Sequence, residues 1–158
     1  MSFEIKKIGV IGAGQMGNGI THVCARAGYN VRILDSNVDA VKAGLVKIAA
    51  NMEREVKRGQ MEGVDKAEAM ARIETSSSYA DFFDCQLVVE AATEDETVKK
   101  EILLELCNYI PDDTIIASNT SSISITRLGA HTGRPGKFVG MHFMNPVPRM
   151  ELVEIIRG

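Results

Sequence analysis

Near its start the chain reads "KKIGVIGAGQMGNGI", a short β-branched run that breaks into glycines and resumes with helical spacing. An apolar run bounded by glycines suits a buried parallel strand followed by a tight turn. Gly12, Gly14 and Gly17 form G-x-G-x-x-G at that turn. In this pattern the first glycine permits the turn, the second lets a pyrophosphate approach the backbone, and the third lets the helix pack closely on the sheet. Unpaired N–H groups at the helix start, with the helix dipole behind them, then receive phosphates. The helix carries Met16, Ile20, Val23, Cys24 and Ala27 on one face and stops at Gly28. A second strand, "YNVRILD", ends at Asp35 and completes a unit of about thirty residues, the size of a βαβ motif. A carboxylate about 20 residues past such a loop accepts from the ribose hydroxyls and repels a 2′-phosphate, which favours NAD over NADP. The plainer alternative is that the glycines only turn the chain and Asp35 only caps the next helix. Arg32 lies three residues before Asp35, so it points to the other face of the strand.

Strands and helices continue to alternate. Ser36 or Asn37 can cap a long helix with an apolar stripe at Val38, Val41, Leu45, Ile48, Met52 and Val56. A short helix is expected over Lys66 to Ile73, a buried strand at "CQLVVEAAT", and an amphipathic helix at "DETVKKEILLELCNYI" ended by Pro111. "DTIIASNTSS" reads as a strand entering a Ser/Thr cluster, with "ISITRLGA" as a short helix behind it. "KFVGMHF" and "MELVEII" read as two last strands joined by "MNPVPR". The expectation is one Rossmann-type α/β domain over 1–158, a doubly wound and mostly parallel sheet with helices on both faces. The net charge of −3 gives no general attraction to nucleic acid or an anionic membrane. No apolar run reaches membrane-spanning length. Cys24, Cys85 and Cys107 are odd in number and widely spaced, which reads as reduced thiols in a cytoplasmic protein with no metal site. The start leaves no room for a targeting peptide.

Chemistry concentrates near the C-terminal end. Oxidising a secondary alcohol by hydride transfer needs a base for the hydroxyl proton, and the ordinary pKa of histidine suits that task. A carboxylate on the other ring nitrogen fixes the tautomer and stabilises the imidazolium as it forms. His142 and Glu154 can meet in this way if "NPVP" turns the chain back. On the residues alone, the plainer alternative is a core histidine with one satisfied hydrogen bond. "SNTSS" can be a turn whose Thr120 or Ser122 caps a helix. Lys47, Arg54 and Arg58 share a face of the long helix, and like charges at the four-residue spacing of Arg54 and Arg58 repel unless an anion lies between them. The plain alternative is a solvated face eased by Glu53 and Glu55.

Taken in order, "IGVIGAGQMGNGI", "LVVEAATED", "ASNTSS" and "GMHFMNPVPRMELVEIIRG" resemble the NAD-binding domain of the L-3-hydroxyacyl-CoA dehydrogenases, in particular the bacterial 3-hydroxybutyryl-CoA type. The resemblance covers essentially the whole chain. It implies that His142 is the acid/base, Glu154 its partner and Ser121 a hydrogen-bond donor to the substrate oxygen. It implies NAD contacts at Gly12, Gly14, Gln15, Met16, Gly17, Asp35, Ser121 and Asn145, with Glu94 and Lys99 near the nicotinamide ribose. For Glu94 and Lys99 the alternative is a solvated helix start. Arg54 and Arg58, with Ser121, would hold the acyl-CoA, whose phosphates suit bidentate arginine contacts. A helical second domain, which in this family carries the homodimer interface and a further active-site asparagine, would lie outside these residues. Members usually show two aromatics after the histidine, whereas here Phe143 is followed by Met144. Two alternatives are a β-hydroxyacid dehydrogenase of hydroxyisobutyrate type, with its different lysine-based site, and a non-catalytic, crystallin-like dinucleotide-binding protein.

Overall fold

A computed structural model describes residues 2–158. Seven strands form one sheet in the order β3-β2-β1-β4-β5-β6-β7. The first six are parallel: β1 (Lys7–Ile11), β2 (Asn30–Leu34), β3 (Ile73–Ser76), β4 (Leu87–Glu90), β5 (Ile115–Ser118) and β6 (Phe138–Phe143). β7 (Val153–Ile156) runs antiparallel to β6 at the edge. This is the doubly wound arrangement expected from the alternating pattern, and β1 lies between β2 and β4, where the strand order reverses. In such sheets ligands bind outside the carboxyl ends of the strands, at that reversal.

Side chains alternate across the sheet and divide the core in two. Ile8 and Val10 of β1 pack with Ile20 of α1 (Gln15–Arg26), Ile48 and Met52 of α2 (Val38–Lys57) and Ala69 of α3 (Gly63–Ala71). Ile11 faces the other way, with Val88, Leu103 and Leu106 of α4 (Glu96–Leu106) and Leu128 of α5 (Ile125–His131). Each large apolar side chain buried in this way contributes about 1.5–3 kcal/mol. Among the described residues no helix is long and apolar enough to cross a membrane.

Several local expectations need correction. The buried stripe of α2 is Val41, Gly44, Ile48, Met52 and Glu55, while Val38 is exposed and Leu45 and Val56 are only partly covered. Asn37 caps that helix, accepting from Asp39 N at 2.9 Å. The short helix begins and ends earlier than Lys66 to Ile73, because Ile73 opens β3, an edge strand that the polar "IETS" concealed. Ser124 caps α5 through Arg127 N, whereas Thr120 accepts from Ser122 N and Ile123 N inside the preceding turn.

Candidate active site

The glycine loop follows β1 and opens α1. Gly12 adopts φ +109°, and a Cβ there would stand 2.5 Å from Ala91 O. A Cβ on Gly17 would fall 1.8 Å from Gly12 O, so helix and turn can meet only without one. Among the described residues nothing lies within 4 Å of a Cβ placed on Gly14, and no side chain caps the helix start. The cradle therefore presents free N–H groups beside an unfilled approach, the combination that a pyrophosphate needs. Asp35, at the end of β2, accepts from Ala13 N and Asn37 N, each at 2.9 Å. It thus braces the loop and caps the turn while bringing negative charge to the cradle. Arg32 is turned away and held by Glu74 at 2.7 Å and Asp84 at 2.9 Å, so it does not offset that charge. A glycine-lined turn with a carboxylate at the end of the next strand is the arrangement that suits a dinucleotide with an unphosphorylated ribose.

His142 and Glu154 are direct cross-strand partners in the β6–β7 ladder. Their side chains meet, with His142 Nδ1 3.2 Å from Glu154 Oε2. The carboxylate fixes one ring nitrogen, and that is the only side-chain hydrogen bond His142 makes among the described residues, which leaves Nε2 without one. The turn that joins the two strands contains a cis Asn145–Pro146 bond. Gln15, at the first turn of α1, donates from Nε2 to Asn145 Oδ1 at 3.1 Å, which joins the glycine loop to the β6–β7 loop. Met16, beside it, packs partly buried against the core.

The Ser/Thr cluster follows β5. Glu94 does not begin a solvated helix, since Asp95 caps α4 by accepting from Val98 N. Its carboxylate instead accepts from Thr120 Oγ1 at 2.9 Å, Ser121 N at 3.3 Å and Ser122 Oγ at 3.2 Å. Ser121 is exposed at this point, and its hydroxyl makes no hydrogen bond among the described residues. Asn119 Oδ1 accepts from Phe143 N at 2.8 Å and ties the cluster to the strand that bears His142. Lys99, on the first turns of α4, is paired inside the fold. It is 1% exposed, and its ammonium faces inward to Glu90 at 2.6 Å. Ser118 Oγ donates to the same carboxylate at 2.8 Å.

A half-open cavity of about 850 Å³ lies between α1, α2 and the β6–β7 loop. Val23, Arg26, Arg54, Arg58, Phe143 and Val147 are among its lining residues. Neither nearby carboxylate eases Arg54 and Arg58, because Glu53 pairs with Lys66 at 2.7 Å and Glu55 with Arg26 at 2.8 Å. Glu55 also stands 2.9 Å from Nε2 of His22, out of line for a hydrogen bond. His22 is fully buried, and burial lowers its pKa below the ordinary histidine value. This buried histidine and the Glu90–Lys99 pair escaped sequence reasoning. Their only signal was a charged or polar residue at an apolar position of a helix or strand.

Residues 7–158 match the family model described as 3-hydroxyacyl-CoA dehydrogenase, NAD binding domain. The chain belongs to this family. It is 52% identical over 158 residues to a 3-hydroxybutyryl-CoA dehydrogenase of Bradyrhizobium diazoefficiens, matching 100% of this chain and 54% of that protein. A fatty acid oxidation complex subunit alpha of Psychrobacter arcticus is 41% identical over 98% of this chain, which spans 22% of that larger protein. The crystal structure of (S)-3-hydroxybutyryl-CoA dehydrogenase from Ralstonia eutropha superposes with a TM-score of 0.96 at 48% identity, covering 98% of this chain and 55% of that one. The chain thus spans about half the length of the 3-hydroxybutyryl-CoA dehydrogenases it matches. Membership sets aside the hydroxyisobutyrate-type alternative, and NAD is the family's dinucleotide.

Proposed function

We propose that this chain is the NAD-binding half of an enzyme that reversibly oxidises a short L-3-hydroxyacyl-CoA, such as 3-hydroxybutyryl-CoA, to the 3-oxoacyl-CoA. The observation that carries this reading is the 3.2 Å contact between His142 Nδ1 and Glu154 Oε2 at paired positions of adjacent strands. Bound NAD supplies the acceptor for the hydride that leaves C3. His142 Nε2 takes the hydroxyl proton, and Glu154 holds the ring in the tautomer that leaves Nε2 free and then stabilises the imidazolium. Ser121 donates its free hydroxyl to the substrate oxygen, and Glu94 fixes the loop from which it does so. Gly12, Gly14, Gly17 and Asp35 hold the dinucleotide, with Gln15, Met16 and Asn145 along its path. Arg54 and Arg58 take the phosphates of coenzyme A. The parent polypeptide would be a cytoplasmic homodimer joined outside these residues. The three thiols of this chain, Cys24, Cys85 and Cys107, are free, and burial pushes the pKa values of Cys24 and Cys85 up to about 12, which keeps them inert.

The test is NADH oxidation by acetoacetyl-CoA in the full-length protein, with His142→Gln as the diagnostic variant. Turnover should fall by about 100- to 10,000-fold, the scale for losing a positioned acid/base, while NADH still binds. Wild-type protein without turnover would favour the non-catalytic reading. Near-normal activity in the variant would remove His142 from the mechanism.

A further inference from the structure

The glycine signature accounts for Gly12, Gly14 and Gly17, yet "GQMGNGI" contains a fourth glycine, Gly19, in the interior of α1. A glycine there weakens a helix relative to alanine, so its retention calls for another cause. A Cβ at Gly19 would stand 2.8 Å from Val147 Cβ, 3.0 Å from its Cγ2 and 3.7 Å from Pro148 Cδ. Val147 is 4% exposed and belongs to the core cluster on this face. Rotation about χ1 cannot relieve the closest contact, because it is made by Cβ itself. An added methyl would have to move the loop backbone.

That loop joins the strands bearing His142 and Glu154, carries Asn145 and walls the 850 Å³ cavity. Gln15 and Gly19 are four residues apart on one face of α1. The first holds Asn145 by a 3.1 Å hydrogen bond, and the second receives Val147. The same helix begins at the dinucleotide cradle. Resting on the function proposed above, we infer that Gly19 is a positioning residue: by lacking a side chain it seats Val147 and sets the distance from the dinucleotide cradle to the loop that faces the acyl-CoA.

Gly19→Ala in the full-length protein should lower kcat/KM for acetoacetyl-CoA by about 10- to 100-fold, the scale for a displacement approaching 1 Å. The NADH dissociation constant should stay within about twofold, because the new methyl points away from the cradle. In a Val147→Gly background, which removes the opposing Cβ, Gly19→Ala should cost less than about threefold, the signature of direct coupling between the two positions. The 158-residue chain offers a readout independent of turnover. Gly19→Ala should shift the Val147 methyl and Asn145 side-chain amide signals in NMR spectra and leave those of Ile8 and Val31 in place. An inactive wild-type protein would overturn the proposed function alone, since the NMR comparison still reads the loop. Unmoved Val147 signals, kcat/KM within about twofold of wild type, or an equal loss in the Val147→Gly background would overturn the role of Gly19.

Discussion

Arg54 and Arg58 stand four residues apart on α2, a spacing at which like charges repel by about 0.2–0.5 kcal/mol. The two carboxylates beside them on α2 are engaged elsewhere, Glu53 with Lys66 and Glu55 with Arg26. Both arginines line the cavity. A polyanion entering the cavity, which Glu55 and Glu151 also line, would offset that repulsion. Arg54→Ala/Arg58→Ala should therefore raise KM for acetoacetyl-CoA by about 10- to 100-fold, with kcat changed by less than about threefold. Contacts to the remote phosphates hold ground state and transition state alike. The increase should shrink as salt is added, since part of it is exposed charge attraction. Steady-state kinetics at two ionic strengths check this, and an unchanged KM would leave the two arginines as surface charge.

At the scale of elements, β4, β5 and α4 meet at the buried Glu90–Lys99–Ser118 cluster. Glu90 and Ser118 are register partners at the carboxyl ends of their strands, and Lys99 comes down from the first turns of α4. Glu90 also accepts from Ala92 N at 2.8 Å, which steadies the loop leading to Glu94. Removing one partner of a buried pair leaves an uncompensated charge, so Lys99→Met should cost about 3–5 kcal/mol in a urea titration. Glu90→Gln/Lys99→Met removes both charges and should recover most of that loss. Equal losses in the single and double variants would show that the packing of Lys99, not its charge, matters. The sequence hid this cluster because Lys99 sits in the charged run "DETVKKE", and its partner lies on another element. The two-residue period of β3 was masked for a related reason, since an edge strand of four residues needs few apolar positions. The glycine loop and the His142–Glu154 pair were legible. The first is local, and the second needed only one turn to bring two adjacent strands together. Gly44, read as neither core nor site, proves to face the loop, with a Cβ placed there 3.0 Å from Ala13 O. Such close approaches depend on how a helix docks, which periodicity does not encode.

For the molecule as a whole, the parts divide by where they come from. The glycine loop and Asp35 lie on β1, α1 and the end of β2, and β1 is paired on both sides within the sheet. The cavity that Arg54 and Arg58 line is different. It is half open, walled by α1, α2 and the β6–β7 loop, and the relatives that act on 3-hydroxybutyryl-CoA are nearly twice as long. Dinucleotide binding and turnover should therefore separate experimentally. The 158-residue chain should bind NADH within about threefold of the full-length affinity, a difference below about 0.7 kcal/mol. Its acetoacetyl-CoA-dependent NADH oxidation should be at least about 100-fold slower, because a substrate held on one side only loses the alignment that brings C3 to the nicotinamide. Fluorescence titration with NADH and a single-turnover assay on the same sample measure the two properties. Full-rate turnover by the chain alone would mean that the cavity already aligns the substrate without a second wall. Failure to bind NADH would mean that the cradle needs support from outside the sheet that surrounds it.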